Sequence, residues 1–299
     1  MRPPHSARTF SMASFHHPSF PGAPPPHYID MMGNVITNMG IDATSRQHLQ
    51  QNLGRVTAVA SSAQLQREFK TICLGVDAEH RARVIRTLAG PRGYEAGQHI
   101  QCFVLIECNQ WLIDSPDAYN ILCLVAERAR NLKLVHIGFN DRYLNWALLP
   151  RRVHLMFIRV MRQANTVILE GVKNVPLALI YALEHIRCLD LAQIKLAPMT
   201  PQDAIAPNTI PRAAPRALSV HTRFEDDWND NESDGTLRTV RTLKDYPGIR
   251  FNRLRTLYLD FLGCNGCAKT WKEAIGLCKN TLESLRLNYY PEGDGEWAF

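Results

Sequence analysis

The sequence has no long apolar run, and this absence excludes a membrane-spanning helix. Although 45% of the 299 residues are hydrophobic, no stretch approaches the roughly 18 apolar residues that such a helix needs. The first residues carry Arg2 and Arg8 without an apolar core behind them, so they do not match a secretory signal. We therefore expect no membrane association and a cytoplasmic or nuclear location.

The sequence also lacks the motifs of common enzyme sites. It contains no P-loop, no G-x-S-x-G and no H-E-x-x-H. The one stretch that suggests chemistry is Cys264-Asn265-Gly266-Cys267, which opens a predicted helix, where a thiol pKa is lowered. Too few residues follow Cys267 for a thioredoxin-like fold, and a second ligand pair for zinc is missing. We predict a chain that is not an enzyme and holds no metal or cofactor, with a thiol oxidoreductase using Cys264 and Cys267 as an alternative.

The net charge of the chain is small. The chain has 34 Lys and Arg against 28 Asp and Glu, a mildly basic balance that permits acidic partners but does not require nucleic acid. Acidic residues concentrate at 225–234, and basic residues concentrate on one face of the helix predicted after Pro150. We interpret both as solvated surfaces, with a docking segment for a basic partner as the alternative for the acidic run. Nucleic acid is not an expected partner.

What the sequence does have is a recurring L-x-x-L-x-L spacing, loosely kept. Its last two apolar positions fall at Ile72/Leu74, Phe103/Leu105, Val135/Ile137, Val167/Leu169, Leu189/Leu191, Leu218/Val220, Leu257/Leu259 and Leu285/Leu287. Most steps are about 22–32 residues, similar to the strand-plus-helix period of leucine-rich repeats. Apolar residues at helical spacing lie between them, as in Val153, Phe157 and Val160. The sequence predicts an α/β fold, an irregular leucine-rich-repeat-like solenoid of parallel strands and helices.

Composition divides the chain into three regions. Residues 1–27 are rich in Pro, Ser and His, which predicts a disordered tail. Residues 28–69 carry apolar residues at near-helical spacing and predict a short helical module. Residues 70–299 form the predicted repeat domain, with loops at 197–215 and 225–250.

Several motifs resemble one family. Trp146 begins a W-x-x-L-P sequence that is followed by an amphipathic helix, a strand and the N-x-P of Asn174. This order resembles the large fungal families of F-box proteins with leucine-rich-repeat-like domains. Residues 66–74 (QREFKTICL) resemble the junction between the F-box and the first strand in that family. Residues 25–30 (PPHYID) resemble the start of the F-box, where a Leu-Pro-x-Glu element opens a helix.

The resemblance implies a substrate receptor of an SCF-type ubiquitin ligase. In that family the F-box docks a Skp-type adaptor, and the repeats hold the protein substrate. The implied adaptor-binding residues are Pro25, Pro26, Ile29, Met32 and Ile36. The chain departs from the family pattern, with Pro24 in place of the Leu, His27 in place of the Glu and Ala60 in place of the Trp. We therefore expect weak adaptor binding.

The partner-binding surface follows from the alternation of side chains along a strand. The residue between the last two apolar positions, and the residue just after them, face away from the core onto the concave side of the repeats. The polar members are His136, Glu170, Asp190, His221, Tyr258, Asp260, Arg286 and Asn288. We predict that they bind an unknown protein substrate. A repeat scaffold that has lost adaptor binding is the second hypothesis.

Overall fold

The computed structural model describes residues 62–139, 143–197, 213–221, 235–245, 249–262 and 267–290. The chain divides into two compact units between Gln64 and Leu65, and the described residues belong almost entirely to the second unit. The predicted tail, residues 1–27, lies outside the described residues. So does most of the predicted helical module, of which residues 62–69 are described and are helical.

The strands lie where the recurring spacing predicts them. They are β1 (Thr71–Leu74), β2 (Cys102–Ile106), β3 (Leu134–Gly138), β4 (Leu144–Asn145), β5 (Thr166–Glu170), β6 (Val172–Lys173), β7 (Cys188–Ala192), β8 (Ala217–His221), β9 (Thr256–Leu262) and β10 (Ser284–Tyr290). The two short strands β4 and β6 were not predicted.

Helices connect the strands of the described residues. They are α1 (Ala78–Ala89), α2 (Gly93–Gln98), α3 (Asn109–Asp114), α4 (Pro116–Arg128), α5 (Arg151–Met161), α6 (Leu177–Tyr181), α7 (Gly235–Asp245) and α8 (Cys267–Cys278). Two of these helices begin at a residue whose side chain caps them. The Asp77 carboxylate accepts the Glu79 and His80 backbone N–H groups at 2.9 and 3.1 Å. The Ser115 hydroxyl accepts the Asp117 N–H at 3.2 Å, with proline in the first turn.

The main sheet keeps the order of the chain. Its eight strands are arranged β1-β2-β3-β5-β7-β8-β9-β10, and every neighbouring pair is parallel. Strands β4 and β6 form a separate parallel pair. Because parallel neighbours need a crossover, a connecting segment leaves the sheet after each strand and returns beside it. The fold is therefore α/β, with a largely parallel eight-stranded sheet and helices.

The predicted apolar positions bury one face of this sheet. Leu189, Leu191, Leu257 and Leu259 are each at most 1% exposed, and they lie in strands of the same parallel sheet, as predicted. Val153, Phe157, Val160 and Met161 of α5 are also buried, which confirms the helical stripe. Leu285 and Leu287 depart from the prediction, because Leu285 is 42% exposed and Leu287 is only partly buried. Among the strands of the described residues, β10 is last in the sheet order and pairs with β9 alone.

The predicted loop at 225–250 is wrong in part, because it contains α7. Val240 and Leu243 lie on one side of this helix and are buried at 3% and 0% exposure. Side chains three residues apart lie on the same side of a helix, so these two pack α7 against the core. The polar residues around them obscure this pattern in the sequence. Residues 225–234 lie outside the described residues. Of the other predicted loop, 197–215, the described part includes Ala213, which pairs with Ile249 in a parallel bridge.

Candidate partner-binding surface

The register of the sheet places the predicted partner-binding residues in two adjacent rows. The first row contains one residue from each of the eight strands of the main sheet, aligned by its Cα position, and the second row contains one from each of these strands except β1. The first row runs Cys73, Val104, His136, Ile168, Asp190, Ser219, Tyr258, Arg286. The second runs Ile106, Gly138, Glu170, Ala192, His221, Asp260, Asn288. These two rows define what we call the open face of the sheet.

The open face is distinct from the buried face because side chains alternate along each strand. On β7, Leu189 and Leu191 are fully buried, while Asp190 between them has a side chain that is 29% exposed. On β3, Val135 and Ile137 are fully buried, while His136 between them is 25% exposed at its side chain. The side chains of Asp190 and His136 on the open face are therefore partly accessible, although their backbone is held in the sheet.

The first polar cluster on the open face joins β3 to β5. The Nε2 atom of His136 lies 3.3 Å from the Oε2 atom of Glu170. Gly138 leaves the space for this contact, because a Cβ atom there would lie 2.9 Å from His136 Nε2 and 3.6 Å from Glu170 Oε2. The pair is diagonal, between one row and the next, so it depends on a small residue at position 138.

The second polar cluster is centred on Tyr258. The Asn288 side-chain amide donates to the Tyr258 hydroxyl at 2.8 Å, and the Arg286 guanidinium lies 5.2 Å from the Tyr258 ring centroid. The His221 ring meets the same ring edge-on, with centroids 5.9 Å apart. On its other side, His221 Nε2 lies 3.0 Å from Asp190 Oδ1. Five predicted residues thus form one chain of contacts across β7, β8, β9 and β10.

These contacts hold the Tyr258 ring in place before any partner binds. An edge-on aromatic neighbour, a cation over the ring and a hydrogen bond at the hydroxyl restrict both of its side-chain torsions. Ordering such a side chain during association would otherwise cost affinity. The cluster offers a partner an aromatic surface with a guanidinium and an amide beside it.

An apolar area on the open face was not part of the predicted site. Val104, Ile106 and Ile168 belong to the two rows, and Leu134 lies beside them at the start of β3; all four are partly exposed. Specific interfaces combine an apolar centre with a polar rim. The alternation of side chains that identified the polar residues points to these apolar positions as well.

One predicted set of residues lies outside the described part of the chain, and a second lies partly outside it. Pro25, Pro26, Ile29, Met32 and Ile36, the implied adaptor-binding residues, belong to the undescribed N-terminal segment. Cys264 of the alternative thiol site also lies outside the described residues. Cys267 is the first residue of α8. Asp260 is placed in the second row by its backbone register.

The described thiols with a shifted pKa are shifted upwards. Burial raises the pKa of the Cys108 thiol to about 12 and raises the pKa of the Cys188 thiol on β7. A raised pKa keeps a thiol protonated and weakly nucleophilic. Within the described ranges, no group of three or more His, Cys, Asp and Glu side chains is arranged to hold a metal ion.

A depression of about 500 Å³ lies away from the open face, lined by Lys244, Ile249, Arg250, Phe251, Arg253 and Leu277 among others. Its Lys244 ammonium is 2.6 Å from the Glu273 carboxylate. A smaller depression of about 270 Å³ lies beside β1 and α1, with Phe69, Ile72 and His80 in its lining. Neither brings together the predicted site residues.

Comparison with protein-family models and with curated proteins gives no match. None of the helices in the described ranges has the length and apolar character needed to cross a membrane.

Proposed function

We propose that the chain is a protein-binding substrate receptor resembling the F-box subunits of SCF-type ubiquitin ligases. In this proposal the segment that leads into and opens the helical module of residues 28–69 docks a Skp-type adaptor through Pro25, Pro26, Ile29, Met32 and Ile36. The open face holds a protein substrate, and the chain itself carries out no chemistry. Its location is cytoplasmic or nuclear.

The same proposal includes a repeat architecture, an irregular leucine-rich-repeat-like solenoid. The chain order of the strands supports it, since each strand pairs with the one before and the one after in the sheet. A doubly wound sheet reverses its strand order at a switch point, and this sheet does not. Repeats that contact only their neighbours expose one strand face along the whole array, which is where the open face lies.

One observation carries the binding function, and it is the cluster around Tyr258. Tyr and Arg are enriched among the residues that dominate protein interfaces. Here Tyr258 and Arg286 are in contact on a partly exposed sheet face, with the apolar side chains of β2 and β5 further along the same rows. The Tyr258 cluster is suited to binding a protein partner, and none of its side chains is an activated nucleophile.

A repeat scaffold without adaptor binding is the second candidate. The departures at Pro24, His27 and Ala60 favour it, because they remove the Leu, Glu and Trp of the family pattern. The two candidates share the open face and differ in the adaptor. Co-purification of the tagged chain with a Skp-type adaptor separates them.

The open face is tested by placing a photo-crosslinking residue at Ser219, between Asp190 and Tyr258 in the first row. The matched control places it at Leu155 of α5, which is 55% exposed on the helical side. In a lysate of the source cells, we expect a protein that crosslinks from Ser219 and not from Leu155. The purified partner should bind the Tyr258→Ala variant about 30-fold more weakly, the effect of losing one dominant aromatic contact. Identical crosslinking patterns from the two positions would refute a binding role for the open face.

A further inference from the structure

A second surface lies at the amino-terminal edge of the main sheet, where the chain turns into each strand. From the turn before β1 to the turn before β9, one backbone carbonyl of each turn accepts two N–H groups from the next turn. The Lys133 carbonyl accepts from Asn165 and Thr166 at 3.0 and 2.9 Å, and the Arg187 carbonyl accepts from Arg216 and Ala217 at 2.8 and 2.9 Å. The Arg216 carbonyl accepts from Arg255 and Thr256 at 2.8 and 3.0 Å. The residues just before the strands are therefore stacked one above another.

This stack is unusually basic. It runs Lys70, Gln101, Lys133, Asn165, Arg187, Arg216, Arg255, Glu283. We call the four cations that directly precede β3, β7, β8 and β9, namely Lys133, Arg187, Arg216 and Arg255, the basic ladder. All four are exposed, and neighbouring positions in the stack are about 4.8 Å apart, the spacing of paired strands.

The basic ladder has little counter-charge of its own. Arg255 lies 3.0 Å from the Glu283 carboxylate, an exposed pair that is weak in water. For Lys133, Arg187 and Arg216, no carboxylate of the described residues lies within ion-pair distance. Like charges on adjacent strands repel each other, so an anion laid along the edge relieves an unfavourable contact in addition to forming new ones.

The side chains of the stack favour a carboxylate-bearing peptide over a nucleic acid. Three of the four cations are arginines, whose planar fork binds carboxylate with two hydrogen bonds. The Gln101 and Asn165 amides, interleaved in the stack, can bond to a peptide backbone. None of the eight residues in the stack is aromatic, whereas a single-stranded nucleic acid is held by stacking on aromatic side chains.

We propose that the basic ladder binds an extended acidic segment of a partner protein. From β3 to β9 the ladder spans four strand intervals, roughly 19 Å, which about six residues of extended peptide match. This surface is separate from the open face, and the proposal does not rest on the ubiquitin-ligase assignment.

The test measures binding of a fluorescently labelled ten-residue polyglutamate peptide to the full chain by anisotropy. The variant Arg187→Gln/Arg216→Gln removes two cations of the ladder. The matched control, Arg151→Gln/Arg159→Gln, removes two exposed cations from α5 and leaves the same net charge. We expect about tenfold weaker binding for the ladder variant and less than twofold for the control. We also expect binding of the unmodified chain to weaken as salt increases.

Two controls keep the result specific. Circular dichroism and the urea midpoint should match between the two variants, because all four substituted side chains are exposed. A ten-residue single-stranded deoxythymidine oligonucleotide serves as the competing anion. The proposal is overturned if the peptide does not bind, if both double variants weaken it equally, or if the oligonucleotide binds more tightly through the same two arginines.

Discussion

Replacing Leu257 by alanine should be among the most damaging single changes to the sheet. Leu257 is fully buried in β9, with Leu218 of β8 and Leu285 of β10 as its register partners on either side. The substitution loses the transfer free energy of the side chain and leaves a cavity, a cost of about 2–5 kcal/mol for a buried leucine. For a domain of this size, that cost lowers the melting temperature by roughly 5–15 °C.

The matched control is Leu285→Ala at the same repeat position of the next strand. Leu285 is 42% exposed, so its substitution should cost only about 1 kcal/mol, in proportion to the smaller area removed from water. Urea unfolding followed by circular dichroism measures both free energies of unfolding, and the m-value should stay constant if the unfolded states are alike. Equal costs at the two positions, or a larger cost at Leu285, would refute the assignment of Leu257 to the middle of the core.

Three further predictions concern a glycine pair, a buried thiol and the alternative redox site. Gly171→Ala should lower the free energy of unfolding by more than about 2 kcal/mol, because φ is +65° and the new Cβ would lie 1.8 Å from a backbone oxygen. Gly276→Ala, with nothing within 4 Å of the new Cβ, should instead stabilise its helix by about 0.5–1 kcal/mol. Thermal melts in which Gly276→Ala is the more damaging substitution would contradict this. The folded-state pKa of Cys108, about 12, lies above its ordinary value of 9.0, so the folded chain binds the proton more tightly and its stability should fall between those pH values. By pH 10 the contribution of Cys108 to this loss should be roughly 1–1.5 kcal/mol, so the Cys108→Ala variant should lose less stability by that amount; an equal loss in both proteins would disprove it. Cys264 and Cys267 should be reduced and free of metal, which stoichiometric zinc in the purified chain would contradict.

The strands could be predicted because each one meets the same geometric demand. Two leucine-like residues separated by one position must reach the same core, so Leu189/Leu191 and Leu257/Leu259 carry the pattern however long the connection between them is. The helix stripe of α5 is equally regular. The rows of the open face follow from the same alternation, which is why the residues of the Tyr258 cluster could be named in advance.

Other features depend on information that the pattern does not contain. The pairing of His136 with Glu170 is diagonal and requires the register in which His136 aligns with Ile168 and Gly138 aligns with Glu170. The repeating apolar spacing does not specify this register. The exposure of Leu285 depends on the position of β10 at the end of the sheet order. The basic ladder lies one residue before each strand, outside the repeating apolar positions. Its four cations come close to one another only in the folded chain, where the turns before the strands are stacked.

The most direct test of the proposed receptor is a calorimetric titration of the full chain with a purified Skp-type adaptor. The account predicts binding that is weak but measurable, and its loss in Ile29→Asp with an unchanged unfolding midpoint. Restoring the family residues with His27→Glu and Ala60→Trp should tighten binding by roughly 30-fold or more, since a dominant Trp supplies about 2–4 kcal/mol at an interface. Absence of binding for both the native chain and the restored chain would contradict the account, and would leave the repeat scaffold as the function of this protein.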